Sequence, residues 1–319
     1  MAMAKNIGMD SDDELATRAA WLYFVAGITQ AEIGKKLGLS RIRINRLLAH
    51  AREQGLVQIS VTGRIAECVA LEEKLKGRFS LKDAVVVPTP PSQNQLPQVI
   101  GAAAGQYFGS RLRDGMSVGV GWGRTLRYSL QSVPRQTFKR LSVVSLIGGL
   151  TQASLVNPHE TASHLADIVG AQCYYIAAPA LADSESTRDI LLNQPMVREV
   201  FERGSKVDLA LLSVGDLTPA NTIAQVGLIT NDEAAGLAKA GAVGDILYNF
   251  IDADGNIVDH EVNRRIISAN LSRLRRIPEK VLISGGREKY AALKASINTI
   301  APTTLITDQF SAEYLLNEN

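Results

Sequence analysis

The chain has 319 residues, 46% apolar and 21% charged, with 34 basic and 32 acidic side chains and a net charge of +2. No apolar run approaches the roughly 20 residues that cross a bilayer, and MAMAKNIGMDSDDEL at the start lacks the apolar core of a secretory leader. Cys68 and Cys173 form no CxxC or Cys/His cluster, so no membrane span, disulfide scaffold or zinc site is expected, the reducing cytoplasm is the expected compartment, and the length suggests about two domains.

Asp12 to Val25 reads as an amphipathic helix, with Leu15, Ala19, Leu22 and Tyr23 at helical spacing and Ser11 placed to cap it. Thr29 to Leu48, TQAEIGKKLGLSRIRINRLL, then reads as a helix, a three-residue turn and a second helix. Ala31, Ile33 and Leu37 give the first helix a packing side and Thr29 its N-cap, Gly38 supplies a left-handed exit, Leu39 plugs the angle, and Ser40 caps the next helix. In that second helix Ile44, Leu47, Leu48 and Ala51 form the inward stripe. Ile42, Arg46 and Ala49 point the other way, with Arg43 and Asn45 on the flanks and Arg41 at the start. Arginine matches guanine edges and phosphates, and asparagine matches adenine edges. The expected contacts to operator double-stranded DNA are therefore Thr29, Gln30, Ser40, Arg41, Ile42, Arg43, Asn45 and Arg46.

A plain helical hairpin with a solvated basic face would not require the glycine turn, the Leu39 plug and the Ser40 cap together. Charge agrees with DNA binding. Lys35, Lys36, Arg41, Arg43, Arg46, Arg52 and Arg64 face only Glu32 and Glu53 between Thr29 and Arg64, while the rest of the chain is slightly acidic.

Gly55 breaks the second helix, and LVQISV, Leu56 to Val61, alternates as a strand before Gly63, giving a wing. Ile65 to Phe79 is a helix with a narrow stripe of Cys68, Leu71, Leu75 and Phe79, suited either to a seam between copies or to a connector lying on the next domain. The expected domains are a winged helix-turn-helix over 1–62, a connector helix over 63–80, and a sensing and oligomerising domain over 81–319. From Asp83 onward short apolar strands are expected at 84–87, 117–120, 141–147, 173–176, 208–214, 245–251, 281–284 and 304–307. Helices are expected between most of them, at 95–112, 160–169, 187–203, 232–240, 262–274 and 288–297. That alternation implies a mostly parallel, doubly wound α/β sheet, which binds ligands beyond the carboxyl ends of its strands.

Three strand ends can carry chemistry. VGVGWGRT, Val118 to Thr125, places Gly119, Gly121 and Gly123 before a helix opened by Arg124 and Thr125; its spacing leaves an anion-binding loop and a structural glycine turn equally open. ISGGREKYAAL, Ile283 to Leu293, sets Arg287 and Lys289 in a first helical turn, where cations are unfavourable unless an anion faces them. In GAVGDILYNFIDADGN, Asp245 at a strand start can accept from sugar hydroxyls, and DADGN reads as a hairpin turn rather than a calcium loop. There is no GxSxG elbow, since GMSVG at Gly115 to Gly119 opens the strand expected at 117–120 instead of ending one, HExxH is absent, and His50, His159, His164 and His260 form no spaced ligand set. No catalytic residues, metal or cofactor are expected.

The order of a winged helix-turn-helix, a connector, GxGWGRTL, SLIGG, GAVGDI with NFIDADG, and ISGGxxK resembles the SorC family of bacterial sugar-responsive transcription regulators over essentially the whole chain after the first residues. The resemblance implies a sugar-phosphate-isomerase-like effector domain, a phosphorylated sugar or polyol as effector, a homodimer or homotetramer, and repression of a catabolic operon. It puts the effector site on Gly121, Trp122, Gly123, Arg124, Thr125, Asp245, Phe250 and Lys289. FSLKDAVVVP and GAVGDILYNFIDADG are particularly similar to the branch that represses uptake of phosphorylated autoinducer-2, while the GWGRT loop differs and leaves a polyol or pentose phosphate equally open. The alternative is a sugar-phosphate isomerase or deaminase fused to a DNA-binding head, although no carboxylate pair or histidine set stands near the glycine loops.

Overall fold

The computed structural model describes residues 12–57, 66–151, 157–219 and 221–317, and the chain divides into two compact units, Met1–Ser60 and Val61–Asn319. In the first unit α1 (Asp12–Ala20), α2 (Gln30–Leu37) and α3 (Arg41–Glu53) enclose Ala16, Ala19, Ala20, Leu22, Ile33, Ile44, Leu47, Leu48 and Ala51. The single helix expected over Asp12 to Val25 instead gives way after Ala20 to a wider π turn, Trp21–Val25. That turn leaves Tyr23 exposed rather than buried. Thr29 and Glu32 form a reciprocal capping box, and Gly38 ends α2 at φ 67°. Ala31 is exposed, and its expected packing place is taken by Gly34, where a Cβ would lie 2.7 Å from the Leu39 carbonyl oxygen. The expected Ser11 cap, and the wing strand from residue 58 onward, lie outside the described residues.

In the second unit α4 (Ala66–Phe79) is followed by β1 (Asp83–Val87), α5 (Leu96–Gly109), β2 (Ser117–Val120), α6 (Arg124–Leu130), β3 (Ser142–Gly149), α7 (Pro158–Val169) and β4 (Gln172–Pro179). Then come α8 (Glu185–Leu192), α9 (Pro195–Gly204), β5 (Leu209–Leu212), β6 (Val214–Gly215), α10 (Thr222–Gln225), α11 (Asn231–Lys239), β7 (Gly244–Ile246) and β8 (Asn249–Ile251). The chain finishes with α12 (Glu261–Arg265), α13 (Leu271–Leu274), β9 (Glu279–Ile283), α14 (Tyr290–Ile300), β10 (Thr304–Asp308) and α15 (Gln309–Asn317). Seven strands pair in parallel in the order β1-β10-β9-β5-β2-β3-β4, and β6-β7-β8 form a small antiparallel sheet.

Alternation along each strand divides the core between the two faces. Val85, Val87, Val118, Val120, Leu209, Leu211, Val281 and Ile283 pack with α5, α6 and α7. Ala84, Val86, Ala210, Leu212, Leu282 and Leu305 pack with residues of α4, α14, α15 and the β7–β8 hairpin. The sheet is thus doubly wound, as expected. The helix expected as a connector, α4, is part of this unit, because it packs on β1 and α15 and buries Cys68 and Leu75.

Four expected elements are broken: the strand at 208–214 divides at Ser213 into β5 of the large sheet and β6 of the small one, and the other three break for local reasons. The helix at 187–203 splits into α8 and α9 because Pro195 has no N–H and holds Gln194 extended at ψ 131°. The helix at 262–274 splits into α12 and α13 around an extended stretch in which Ile266 and Ser268 bridge to Leu181 and Ile147. The strand at 245–251 folds back as β7 and β8, with Leu247 and Tyr248 both at positive φ, 52° and 63°. Two positive-φ residues make the tight hairpin turn that ordinarily takes Asn-Gly. The DADGN segment does form its turn, with Asp252 Oδ1 accepting from the Asp254 and Asn256 amides.

Candidate functional site

Parallel strands direct their carboxyl ends to one edge of the sheet, and three of them, β9, β5 and β2, adjacent in that order, end around a cavity of about 370 Å³. Trp122, Gly123, Arg124 and Thr125 follow β2, Ser213 to Asp216 follow β5, and Gly285, Gly286, Glu288 and Lys289 follow β9, while Asp245 comes from the hairpin. The first and third of these turns have the same construction. Gly123 at φ 117° and Gly286 at φ 101° each lead from a strand into a helical turn, in a region of φ that side-chain-bearing residues rarely adopt.

The fit of α6 is equally close. A Cβ on Gly101 or Gly105 of α5 would meet the Thr125 carbonyl oxygen at 2.9 Å or the Ser129 carbonyl oxygen at 2.0 Å. These two glycines seat α6 against α5 and so fix the depth of the buried Thr125 hydroxyl.

The charge pattern of the pocket is bipolar. Lys289 and the exposed Arg124 are cationic, and Asp216 and Asp245 are acidic. Burial lowers the Lys289 pKa, an effect opposed by Asp216 and Asp245 and reinforced by Arg124. Asp245 is 1% exposed, and burial raises its carboxyl pKa to about 7, against the opposing effects of the Tyr248 amide and Lys289. Its Oδ2 accepts from the Tyr248 N–H at 2.9 Å, whereas Oδ1 has no hydrogen-bond partner. A Cβ on Gly215 would lie 2.0 Å from that Oδ1, so only glycine at 215 leaves room for the carboxyl group. The buried Tyr248 ring packs on Trp122 at 4.3 Å between centroids, and its hydroxyl is likewise unpartnered. Asp245 Oδ1, an unsatisfied buried acceptor in the pocket lining, is a ready partner for a polar ligand.

Six of the eight expected effector residues, Trp122, Gly123, Arg124, Thr125, Asp245 and Lys289, thus line one cavity. Gly121 and Phe250 do not. Gly121 continues the β2–β5 pairing by donating to the Leu211 carbonyl at 2.9 Å, and Phe250 is buried in the core with its N–H bound to Asn263 Oδ1. Asp216, Thr218, Asn221, Gln93 and Asn94, which the sequence motifs do not single out, also line the cavity. Asp216 follows a strand-end glycine in LLSVGDL, the signal that marks the other two loops.

On the head, Arg41, Ile42, Asn45 and Arg46 are exposed along α3, with Ile42 at 69%. Thr29 and Ser40 spend their hydroxyls on capping, Ser40 accepting from the Arg43 amide at 3.2 Å, and Gln30 is half-buried. Arg43 is half-buried and ion-paired to Asp12 of α1, so its guanidinium is shared between the head's own structure and any phosphate.

A helix-turn-helix in one unit and a charged pocket at the strand ends of a doubly wound second unit define a ligand-sensing DNA-binding regulator. Residues 63–317 match the family model described as "Putative sugar-binding domain", and residues 21–54 match sigma-70 region 4. The chain is 32% identical over 313 residues to the erythritol catabolism regulatory protein EryD of Brucella abortus, covering 97% of this chain and 98% of that one. It is also 32% identical over 313 residues to the transcriptional regulator LsrR of Klebsiella pneumoniae, covering 96% and 94%. The crystal structure of the full-length sorbitol operon regulator SorC from Klebsiella pneumoniae aligns at a TM-score of 0.71 and 28% identity, covering 97% of this chain and 100% of that one. The chain belongs to the SorC family of transcriptional regulators with a sugar-binding domain; it is a regulator and not an enzyme.

The raised Asp245 pKa has a consequence for stability. The folded state holds this proton more tightly than the unfolded chain, so the contribution is present below the ordinary carboxyl pKa and is lost as pH rises toward about 7. Asp245→Asn is expected to gain stability relative to the parent between pH 5 and pH 8 by a few kcal/mol, since each tenfold difference in proton affinity is worth about 1.4 kcal/mol. Urea denaturation at several pH values reads this directly, and parallel pH profiles for the two proteins would refute it.

Proposed function

We propose that this protein is a cytoplasmic, homo-oligomeric repressor of a carbohydrate or polyol operon, released from its operator by a phosphorylated sugar or polyol bound in the strand-end pocket. The observation that carries the reading is the bipolar lining of that pocket. Lys289, Arg124 and the Thr125 hydroxyl suit a phosphate, for which charge-assisted bonds are the strongest available. Asp245 and Asp216 suit the hydroxyls of the carbon chain, because a carboxylate accepts from neighbouring O–H donors. A volume of about 370 Å³ lies at the small end of ligand sites, as a short-chain phosphate requires. The names of the relatives, which regulate erythritol catabolism and the sorbitol operon, favour a polyol or a related sugar over a larger ligand.

Arg41, Ile42, Asn45 and Arg46 are proposed to read the operator in the major groove, with Arg43, Thr29, Gln30 and Ser40 facing its phosphates. In a repressor, the effector must bind more tightly to the form that holds DNA poorly.

Two outcomes test the reading. Lys289→Met is expected to weaken binding of erythritol 4-phosphate or a pentitol phosphate by roughly 10- to 100-fold in calorimetry, the value of a charge-assisted bond, while leaving promoter binding intact. Unaltered uptake would remove Lys289 from the site. Arg46→Ala should cost about 1–3 kcal/mol of operator affinity, read by gel shift at fixed salt, with effector affinity unchanged. Normal DNA binding would exclude Arg46 from the interface.

A further inference from the structure

Asp308, at the end of β10, is 1% exposed and lies outside the pocket lining, yet it gathers hydrogen bonds from three other segments. Its Oδ1 accepts from the Gly286 amide at 3.1 Å, in the pocket wall, and from the Ser311 hydroxyl in α15. Its Oδ2 accepts from the Thr89 hydroxyl at 2.7 Å, in the loop after β1, and from the Ser311 amide at 3.4 Å. Thr89 Oγ1 in turn accepts from the Phe310 amide at 3.2 Å, and Ser311 Oγ from the Gly286 amide at 3.0 Å. One carboxylate therefore ties the loop that carries Lys289 to the first turn of α15.

The far end of α15 leads to α4. Ala312 and Leu315 share a core with Cys68 and Leu75 of α4, and the Arg78 guanidinium donates to the Leu316 carbonyl at 2.8 Å. Helix α4 is further anchored on the sheet by Glu72, whose Oε1 accepts from the Val86 amide at 2.9 Å. In sequence, α4 is the first helix after the DNA-binding unit.

We infer that Asp308 is a positioning residue that transmits displacement of the Gly285–Lys289 loop through α15 to α4. The inference rests on reading the pocket as the sensor site, but the coupling it asserts is mechanical and is testable without the effector. Gly285 provides the handle. A Cβ there would lie 2.3 Å from Asp308 Oδ1 and 2.7 Å from Ile100 Cδ1, and a carboxylate held by four donors does not swing aside freely. Gly285→Ala thus presses on the same node that a ligand in the loop would move.

The experiment is a mutant cycle on the full chain, read by hydrogen exchange. Gly285→Ala alone is expected to speed amide exchange in 68–79 and 309–316 by at least about tenfold, a sub-global opening well below full unfolding. In an Asp308→Ser background, which removes the obstructing carboxylate, the same substitution is expected to add less than about twofold. Equal acceleration with and without Asp308 would overturn the inference. So would acceleration confined to residues near 285–289, or no change anywhere. Should Asp308→Ser fail to fold, Ser311→Ala removes the hydroxyl that joins Asp308 Oδ1 and the Gly286 amide to α15 while leaving the backbone contacts, and in that background Gly285→Ala is expected to speed exchange in 68–79 and 309–316 by less than half as much as in the parent; equal acceleration would overturn the inference. If sugar phosphates then fail to bind the parent protein, the effector reading falls while this result stands.

Discussion

Seven parallel strands covered by helices on both faces leave no room for polar chemistry except at the strand ends. The apolar side chains of β9, β5 and β2 are committed to one or other of two buried layers. The chain turns at each of these carboxyl ends through glycine or a short polar loop, so hydroxyls and charged groups collect along one edge. The pocket is the result of that constraint, and its position in the fold follows from strand direction alone.

What distinguishes this pocket is the company its charges keep. Asp245 is buried with one oxygen unpartnered, an arrangement that costs stability unless a ligand completes it. Lys289 and Asp216 act on its carboxyl group in opposite directions, the lysine favouring the charged form and the aspartate opposing it. The hairpin turn at Leu247 and Tyr248 adds a second cost, because bulky residues at positive φ are disfavoured. Its retention is explained by geometry: the turn lets Asp245 Oδ2 hold the Tyr248 amide and seats the Tyr248 ring on Trp122. A site in this condition has free energy to gain from a polar ligand.

The head is legible in the sequence because its signals are local. Thr29, Gly38 and Ser40 perform in the structure the capping and turning roles that their chemistry implies within a few residues. Thr125 and Lys289, each just beyond a strand-glycine turn, stand at the cavity wall where that local signal places them. Legibility ends where tertiary partners decide the outcome. Leu-Tyr at a hairpin turn carries no turn signature, so β7 and β8 read as one strand. Phe250 shares a motif with Asp245 yet packs in the core, while Asp216 faces the cavity from a loop marked by a single glycine. Helix α15 begins directly after β10 and is invisible for a similar reason: Asp308 ends the strand and also holds the Ser311 amide, and Thr89 from the loop after β1 holds the Phe310 amide.

In the proposed function, pocket occupancy and DNA binding are linked in one chain. Linkage is reciprocal, with typical couplings of about 5- to 150-fold. The direct measurement is fluorescence anisotropy of a labelled fragment of the regulated promoter, titrated with the protein at fixed salt with and without a saturating polyol phosphate, paired with calorimetry of that phosphate in the presence and absence of the DNA. Promoter binding is expected to weaken with the phosphate present, and phosphate binding to weaken by the same factor with DNA present. A polyol phosphate that binds the protein yet leaves promoter affinity unchanged would contradict that linkage.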